Sequence, residues 1–164
     1  MSRFFGKYRG KVLDNEDPLG LGRLVADVPA VSAAGTVNWA MPCVPYAGAG
    51  VGLFLIPPVD ANVWVEFEGG DPNYPIWTGC FWSEGEVPAD PADPTTRLFK
   101  CDGVELKIDD QSGGSVMLTV ASPIADTEVT ITIDSAGVVV ETGSGKIEIT
   151  SSQVAINSDG LVVK

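Results

Sequence analysis

The chain has 164 residues, a mass of 17.2 kDa and a net charge of −12, and it contains no histidine. The missing histidine excludes Ser-His-Asp and Cys-His catalysis and the usual Cys/His metal sites, and the acidic balance argues against a nucleic-acid partner. With 19 Gly and 12 Pro, many turns are expected and long helices are not; no run of about 18 apolar residues is present to span a membrane as a helix.

The opening stretch MSRFFGKYRGKV lacks the apolar centre of a signal peptide, so synthesis and first folding in the cytoplasm are expected. Residues 1–23 carry five cations against three carboxylates, a net +2, which leaves −14 for the rest. Arg3, Lys7 and Arg9 are therefore a candidate docking patch; a solvated strand face is the competing reading.

Six short strands are predicted next, at 7–13, 22–28, 39–44, 52–56, 62–68 and 75–81. Alternation is clearest in VWVEFE, with Val63, Val65 and Phe67 on one side and Trp64, Glu66 and Glu68 on the other. Turn signals separate the runs: Asp17-Pro18 with Gly20, Pro57-Pro58, and Gly70-Asp71-Pro72-Asn73. Frequent turns and short strands within about 80 residues suggest a small closed barrel, which leaves no strand edge exposed. Segment 31–38 reads as a loop or a single helical turn. The glycine-rich run 46–52 lacks the Lys-Ser/Thr ending of a phosphate loop and reads as a close-packed turn. Cys43, Cys80 and Cys101 are odd in number and widely spaced, which predicts buried free thiols.

All 13 aromatic residues lie at or before Phe99, and 11 of the 12 prolines lie at or before Pro94. The shift marks a boundary. The expected organisation is a barrel over 1–83, a Pro-rich junction over 84–99 and a second all-β region over 100–164. That region holds seven alternating runs, beginning at Val104, Val116, Val129, Val138, Ile147, Val154 and Leu161, with Thr, Glu, Lys, Ser and Asn (Thr150, for example) pointing outward. Each run offers two or three medium aliphatic side chains on one face. Burying one is worth roughly 1.5–3 kcal/mol, and ordering each residue costs about 1–2 kcal/mol in backbone entropy. A lone ribbon would sit near zero stability, and no helix or aromatic slab is at hand to cover it.

Three identical copies could cover one another. The predicted shared core is Val129, Ile131, Ile133, Val138, Val140, Ile147, Ile149, Val154, Ile156, Leu161 and Val163. A β-solenoid within one chain is the alternative, although its rungs would keep a fixed length and the steps here are 12, 13, 9, 9, 7 and 7 residues.

The first half resembles the N-terminal domain of phage baseplate assembly protein V, a group that includes the central spikes of contractile tails and, more distantly, the type VI (VgrG-like) spike. Four pieces carry the resemblance: Gly10-Lys11-Val12 with Asp14-Asn15, the run from Asp17 to Arg23, Trp39-Ala40-Met41-Pro42, and Val63 to Glu68 followed by Gly70-Asp71-Pro72. The resemblance implies an OB-fold barrel followed by an intertwined trimeric β-helical needle. It further implies docking under a tail hub protein, transient contact with a target envelope, and no reaction, cofactor or metal. The 13-residue junction EGEVPADPADPTT leaves no room for the lysozyme domain that some relatives carry there. Nor does the chain have the histidine-rich metal apex of some needles, so the tip is expected to be blunt or capped by a PAAR-repeat protein.

Three rival readings attach to particular residues. Glu66/Glu68 or Asp109/Asp110 could act as acid and base on a glycan, with Trp64, Trp77 and Trp82 as a sugar platform. An OB barrel can bind single-stranded nucleic acid, but basic-aromatic interleaving is lacking. A trimeric tail fibre or adhesin shares the logic of the needle, but normally lacks the barrel.

Overall fold

A computed structural model describes residues 2–31, 38–89, 93–158 and 160–163. The expectation for 31–38 falls almost wholly outside these residues. The described chain is all-β, with 15 strands and one 3-10 turn at Glu68–Gly70, and it divides into two compact units, Met1–Glu86 and Val87–Lys164.

The first unit is built on β1 (Tyr8–Asp14), β2 (Val25–Asp27), β3 (Met41–Pro42), β4 (Ala47–Gly48), β5 (Val51–Gly52), β6 (Asn62–Phe67) and β7 (Pro75–Cys80). Five of these form a sheet in the order β2-β1-β6-β7-β3. The sheet then closes on itself. Leu24, just before β2, and Ala40, just before β3, exchange backbone hydrogen bonds of 3.2 and 2.7 Å. Alternation fills the interior: Val63, Val65 and Phe67 of β6 turn inward beside Val12, Leu24, Ala26, Val28, Ala40 and Trp77. The Trp77 indole N–H has a partner, the carbonyl of Gly22 at 3.1 Å.

The loop from Asp17 to Arg23 is tied by one carboxylate. Asp17 Oδ1 accepts from the Leu19 N–H (3.0 Å) and from Arg23 Nε (3.0 Å) and Nη2 (2.6 Å). Oδ2 accepts from the Leu21 (2.8 Å) and Arg23 (3.2 Å) N–H groups. The Asp17 and Arg23 side chains are only 4% and 16% exposed, and the guanidinium lies over Trp39, 5.4 Å from its centroid. The Arg23 guanidinium holds the Asp17 carboxyl far below its ordinary range; burial pushes the other way, and the backbone donors add to the lowering.

The second unit contains β8 (Thr96–Cys101), β9 (Val104–Asp109), β10 (Val116–Val120), β11 (Val129–Ile133), β12 (Gly137–Thr142), β13 (Gly145–Thr150), β14 (Val154–Ile156) and β15 (Leu161–Val163). They form one sheet in chain order, each strand antiparallel to the next. This is a meander, not the stacked coils of a solenoid. A tight turn joins β11 to β12: Asp134 accepts from the Ala136 (2.8 Å) and Gly137 (3.2 Å) N–H groups. Gly137 has φ +149°, and a Cβ there would collide with the Ile149 carbonyl.

Several expected strands differ. The run 52–56 pairs only at its start, where Val51–Gly52 meets Ala47–Gly48, so the glycine-rich stretch 46–52 is a hairpin. Residues 22–28 and 39–44 shrink to Val25–Asp27 and Met41–Pro42, extended by the Leu24/Ala40 bridge. β8 was not among the expected strands. The cysteines are free but exposed, because they sit at or beside strand ends instead of inward positions. Desolvation raises the Cys80 thiol, which keeps thiolate scarce.

A carboxyl with a lowered folded pKa stabilises fully above its unfolded value, 3.8, and loses that contribution as pH falls below it. Asp17→Asn is thus expected to lower the melting temperature at neutral pH. It should also flatten the decline of the melting temperature between about pH 5 and about pH 2 relative to wild type. Parallel declines in the two proteins would mean that Asp17 is not the clasp described.

Candidate trimerisation face and docking surfaces

Residues directly opposite in an antiparallel ladder share a face. Following the pairs across the second sheet gives three columns on one face. The first is Arg97, Ile108, Val116, Ile133, Val138, Ile149 and Val154, with Val163 placed by backbone register alone. The second is Phe99, Leu106, Leu118, Ile131, Val140, Ile147, Ile156 and Leu161. The third is Cys101, Val104, Val120, Val129, Thr142 and Gly145. Every residue of the predicted shared core falls on this face.

Among the described residues of this unit the face is only partly covered. Ile133, Ile149 and Leu161 are 48%, 44% and 55% exposed. Among the described residues of this unit the one buried apolar side chain is Ala155, which is on the opposite face. That opposite face is largely polar, although Leu98, Met117 and Val139 also stand on it. Lys100 pairs with Glu105 at 2.8 Å, and Lys146 lies 3.4 and 3.6 Å from Glu141 and Glu148; its hydrogen bond to Glu141 first, and then the charge of Glu148, raise its pKa. Thr119, Thr130 and Thr132 stand among them.

On the barrel, the candidate docking cations are spread over different partners. Arg3 donates to the Gly69 carbonyl. Lys7 meets Glu66 at 3.0 Å and Thr78 at 2.9 Å. The Arg9 guanidinium lies 5.6 and 5.4 Å from the ring centroids of Trp64 and Phe81. The sugar platform does not assemble: Trp77 is in the core, Trp64 packs on Phe81 at 4.7 Å, and Trp82 stands exposed. The carboxylates of the glycan reading have structural partners. Glu66 holds Lys7, Asp109 accepts from the Gln111 N–H at 3.1 Å, and Asp110 pairs with Arg97 at 2.9 Å. Glu68 opens the 3-10 turn. No cluster of potential metal ligands occurs among the described residues.

One surface escaped the sequence reading. Tyr46, Val51, Leu53, Phe54 and Leu55 are exposed on and after the β4–β5 hairpin. The available signal was an absence: residues 28–59 include no charged side chain.

Two family models match the chain in order. The type VI secretion system/phage-baseplate injector OB domain covers residues 8–82, and the phage baseplate V C-terminal trimerisation domain covers residues 97–162. The chain belongs to the phage baseplate V family of spike proteins. A type VI secretion system spike protein of Pseudomonas aeruginosa, VgrG4b, is 39% identical over 77 residues, covering 42% of this chain and 10% of that protein. The chain therefore corresponds to about a tenth of that relative's length. In this chain the OB match takes in β1 to β7, and the trimerisation match takes in the three columns apart from Val163.

The face and its reverse can be separated by mutation. Ile149→Asp places a carboxylate on the aliphatic face; burying unpaired charges there costs several kcal/mol. Thr150 is no control for it, since its hydroxyl accepts from the Gln153 N–H at 3.2 Å and closes the β13–β14 turn. Thr132, on the outer face between Met117 and Val139, is one. Thr132→Asp is expected to cost about 1 kcal/mol or less. Resistance of the assembled protein to heat and SDS should be lost in Ile149→Asp and kept in Thr132→Asp. Equal resistance in both would remove the aliphatic columns from the assembly interface.

Proposed function

We propose that this protein is the central spike of a phage tail or of a phage-tail-like contractile injection particle. It works as a homotrimer in which three sheets turn their aliphatic columns toward a common axis. The barrel docks under the hub at the baseplate, and the needle leads puncture of the target envelope. A PAAR-type protein caps the far end. The role is mechanical: stiffness comes from an unbroken backbone ladder, and no bond of the target is cut by the spike itself.

One observation carries this reading. The uncovered aliphatic face lies within the segment matched as a trimerisation domain, so the sheet lacks what two further copies would supply. The OB barrel of an injector family, placed ahead of it, favours a spike over a tail fibre or adhesin. The dispersal of Trp64, Trp77 and Trp82 removes the main support for a glycan-acting enzyme.

Light scattering on the purified protein should give three times the 17.2 kDa chain mass. A monodisperse monomer would sink the spike reading. Replacing Arg3, Lys7 and Arg9 together by Gln is expected to reduce recovery with a tail hub protein while the trimer mass is unchanged. Undiminished recovery would assign those cations to the barrel's own pairing with Gly69, Glu66 and Trp64, and move the docking surface elsewhere.

A further inference from the structure

The uncharged stretch 28–59 belongs to a chain that carries −12. On the barrel its exposed side chains border two open grooves. The first, about 430 Å³, lies between the Gly20–Gly22 turn and the β4–β5 hairpin and is lined by Leu21, Val44, Tyr46, Val51 and Phe54 among others. The second, about 370 Å³, is lined by Val44, Leu53, Leu55 and Trp77 among others. Phe54 stands 70% exposed at the rim of the first. An apolar surface of this kind is a docking site in search of an occupant.

We propose that the occupant is a second copy of this chain: the 53–55 segment of one barrel seats against the groove of the next, around the trimer. The inference rests on the reading of the second unit as a trimerisation domain. Charge supports it first. Copies at −12 each repel one another, and two of them can meet without burying like charges only through an uncharged surface.

The tether supports it next. Between Glu86, which ends the first unit, and Thr96, which begins β8, the chain can reach at most ~35 Å. A trimer built on the second unit therefore holds its three barrels at an effective concentration on the order of millimolar, where even a weak apolar contact is occupied. Symmetry supplies the form. A three-fold ring needs a heterologous contact, one patch meeting a different one, and Phe54 at the rim of one groove would meet the Leu21 and Val44 side of the next barrel's groove.

Amide hydrogen exchange of residues 46–55 tests this on the full-length protein, with mass followed by light scattering. Exchange should be about tenfold slower in the trimer than in the Ile149→Asp chain whose assembly is broken. Phe54→Glu should keep the trimer mass and lose that protection, and Phe54→Leu should keep both. The Phe54→Glu comparison decides the matter even where Ile149→Asp stays assembled. A trimer whose 46–55 amides exchange equally fast in wild type and Phe54→Glu overturns the proposal, leaves the trimer intact and gives the surface to a different protein. A monomeric wild type overturns both.

Discussion

An antiparallel sheet with one apolar face is half of a core. The described residues of 96–163 make such a sheet, and none of them covers it. Eight strands satisfy one another's backbone groups in chain order, and their aliphatic side chains collect on one side. The other side is mostly Lys, Glu and Thr, with Leu98, Met117, Val139 and Ala155 set among them. Hydrogen bonds alone do not hold a sheet flat in water, since unfolding only exchanges them for bonds to water. Among the described residues of this unit burial is what is missing, and the match to a trimerisation domain points to further copies as its source. Most of the second unit's composition follows from that. The side chains are small and branched, and the last aromatic is Phe99. A surface that repeats the same few shapes along two columns can be met by a copy of itself, whereas a foreign surface would need its own matching pattern.

The barrel solves the same problem by closure. Its five-stranded sheet curls until Leu24 reaches Ala40, and the inward side chains then cover one another. Closure places demands on the connections. The loop from Asp17 to Arg23 must turn sharply between β1 and β2, and its backbone N–H groups have no ladder to join. One carboxylate takes three of them and the guanidinium as well. The Gly22 carbonyl in the same loop accepts from Trp77 in the core. A polar clasp and an apolar core thus meet through one peptide. One half of the protein carries its core with it, while the other waits for copies.

Strands with apolar side chains at alternate positions could be read directly, as in β6 and in β9 to β15, even where an intervening residue is apolar too, as Met117 is in β10 and Val139 in β12. Two kinds of segment could not. β8 reads TRLFKC, with Arg97 and Phe99 on one face and Leu98 and Lys100 on the other, so neither face is pure and the nearby prolines dominate the impression. Arg97 shares the aliphatic face because Asp110 neutralises it at the sheet's edge, a partner 13 residues away that no local pattern reveals. The run Leu53 to Ile56 failed in the opposite sense. It is apolar enough for a buried strand but has no ladder beyond the Leu53 N–H bond to the Tyr46 carbonyl, and Leu53, Phe54 and Leu55 stay outside while Ile56 packs partly on the core. Hydrophobicity there reflects a surface, and a single chain cannot say whether an apolar run faces inward or toward a partner. The cysteines misled for a related reason: residue type predicted burial, and position at strand ends decided exposure. The basic residues near the N-terminus were legible as charge but not as contacts, since Glu66, Thr78 and the Gly69 carbonyl come from elements some sixty to seventy residues away.

The columns also explain why the aliphatic face narrows. From β8 to β11 it is three residues wide, because Cys101, Val104, Val120 and Val129 extend it. At β12 and β13 the third column becomes Thr142 and Gly145, so only two columns remain apolar. β14 and β15 are three residues long and have room for two columns alone. The second column runs from Phe99, Leu106 and Leu118 through Ile131, Val140, Ile147 and Ile156, bulkiest where the face is widest. A face that loses width along its length buries less per strand toward the end, so each distal side chain carries a larger share of the local stability. Packing energy follows contact area, and with fewer contacts per layer the loss of one methyl group is felt more. The distal strands can be short only because their pairs repeat so regularly: Ile147 opposite Ile156, Ile149 opposite Val154, Ile156 opposite Leu161. A shift of one residue in that register would turn every one of them outward, and no polar residue stands ready to take the inner place without cost. The regularity that made these runs visible in the sequence is the same property that lets so thin an end hold its shape.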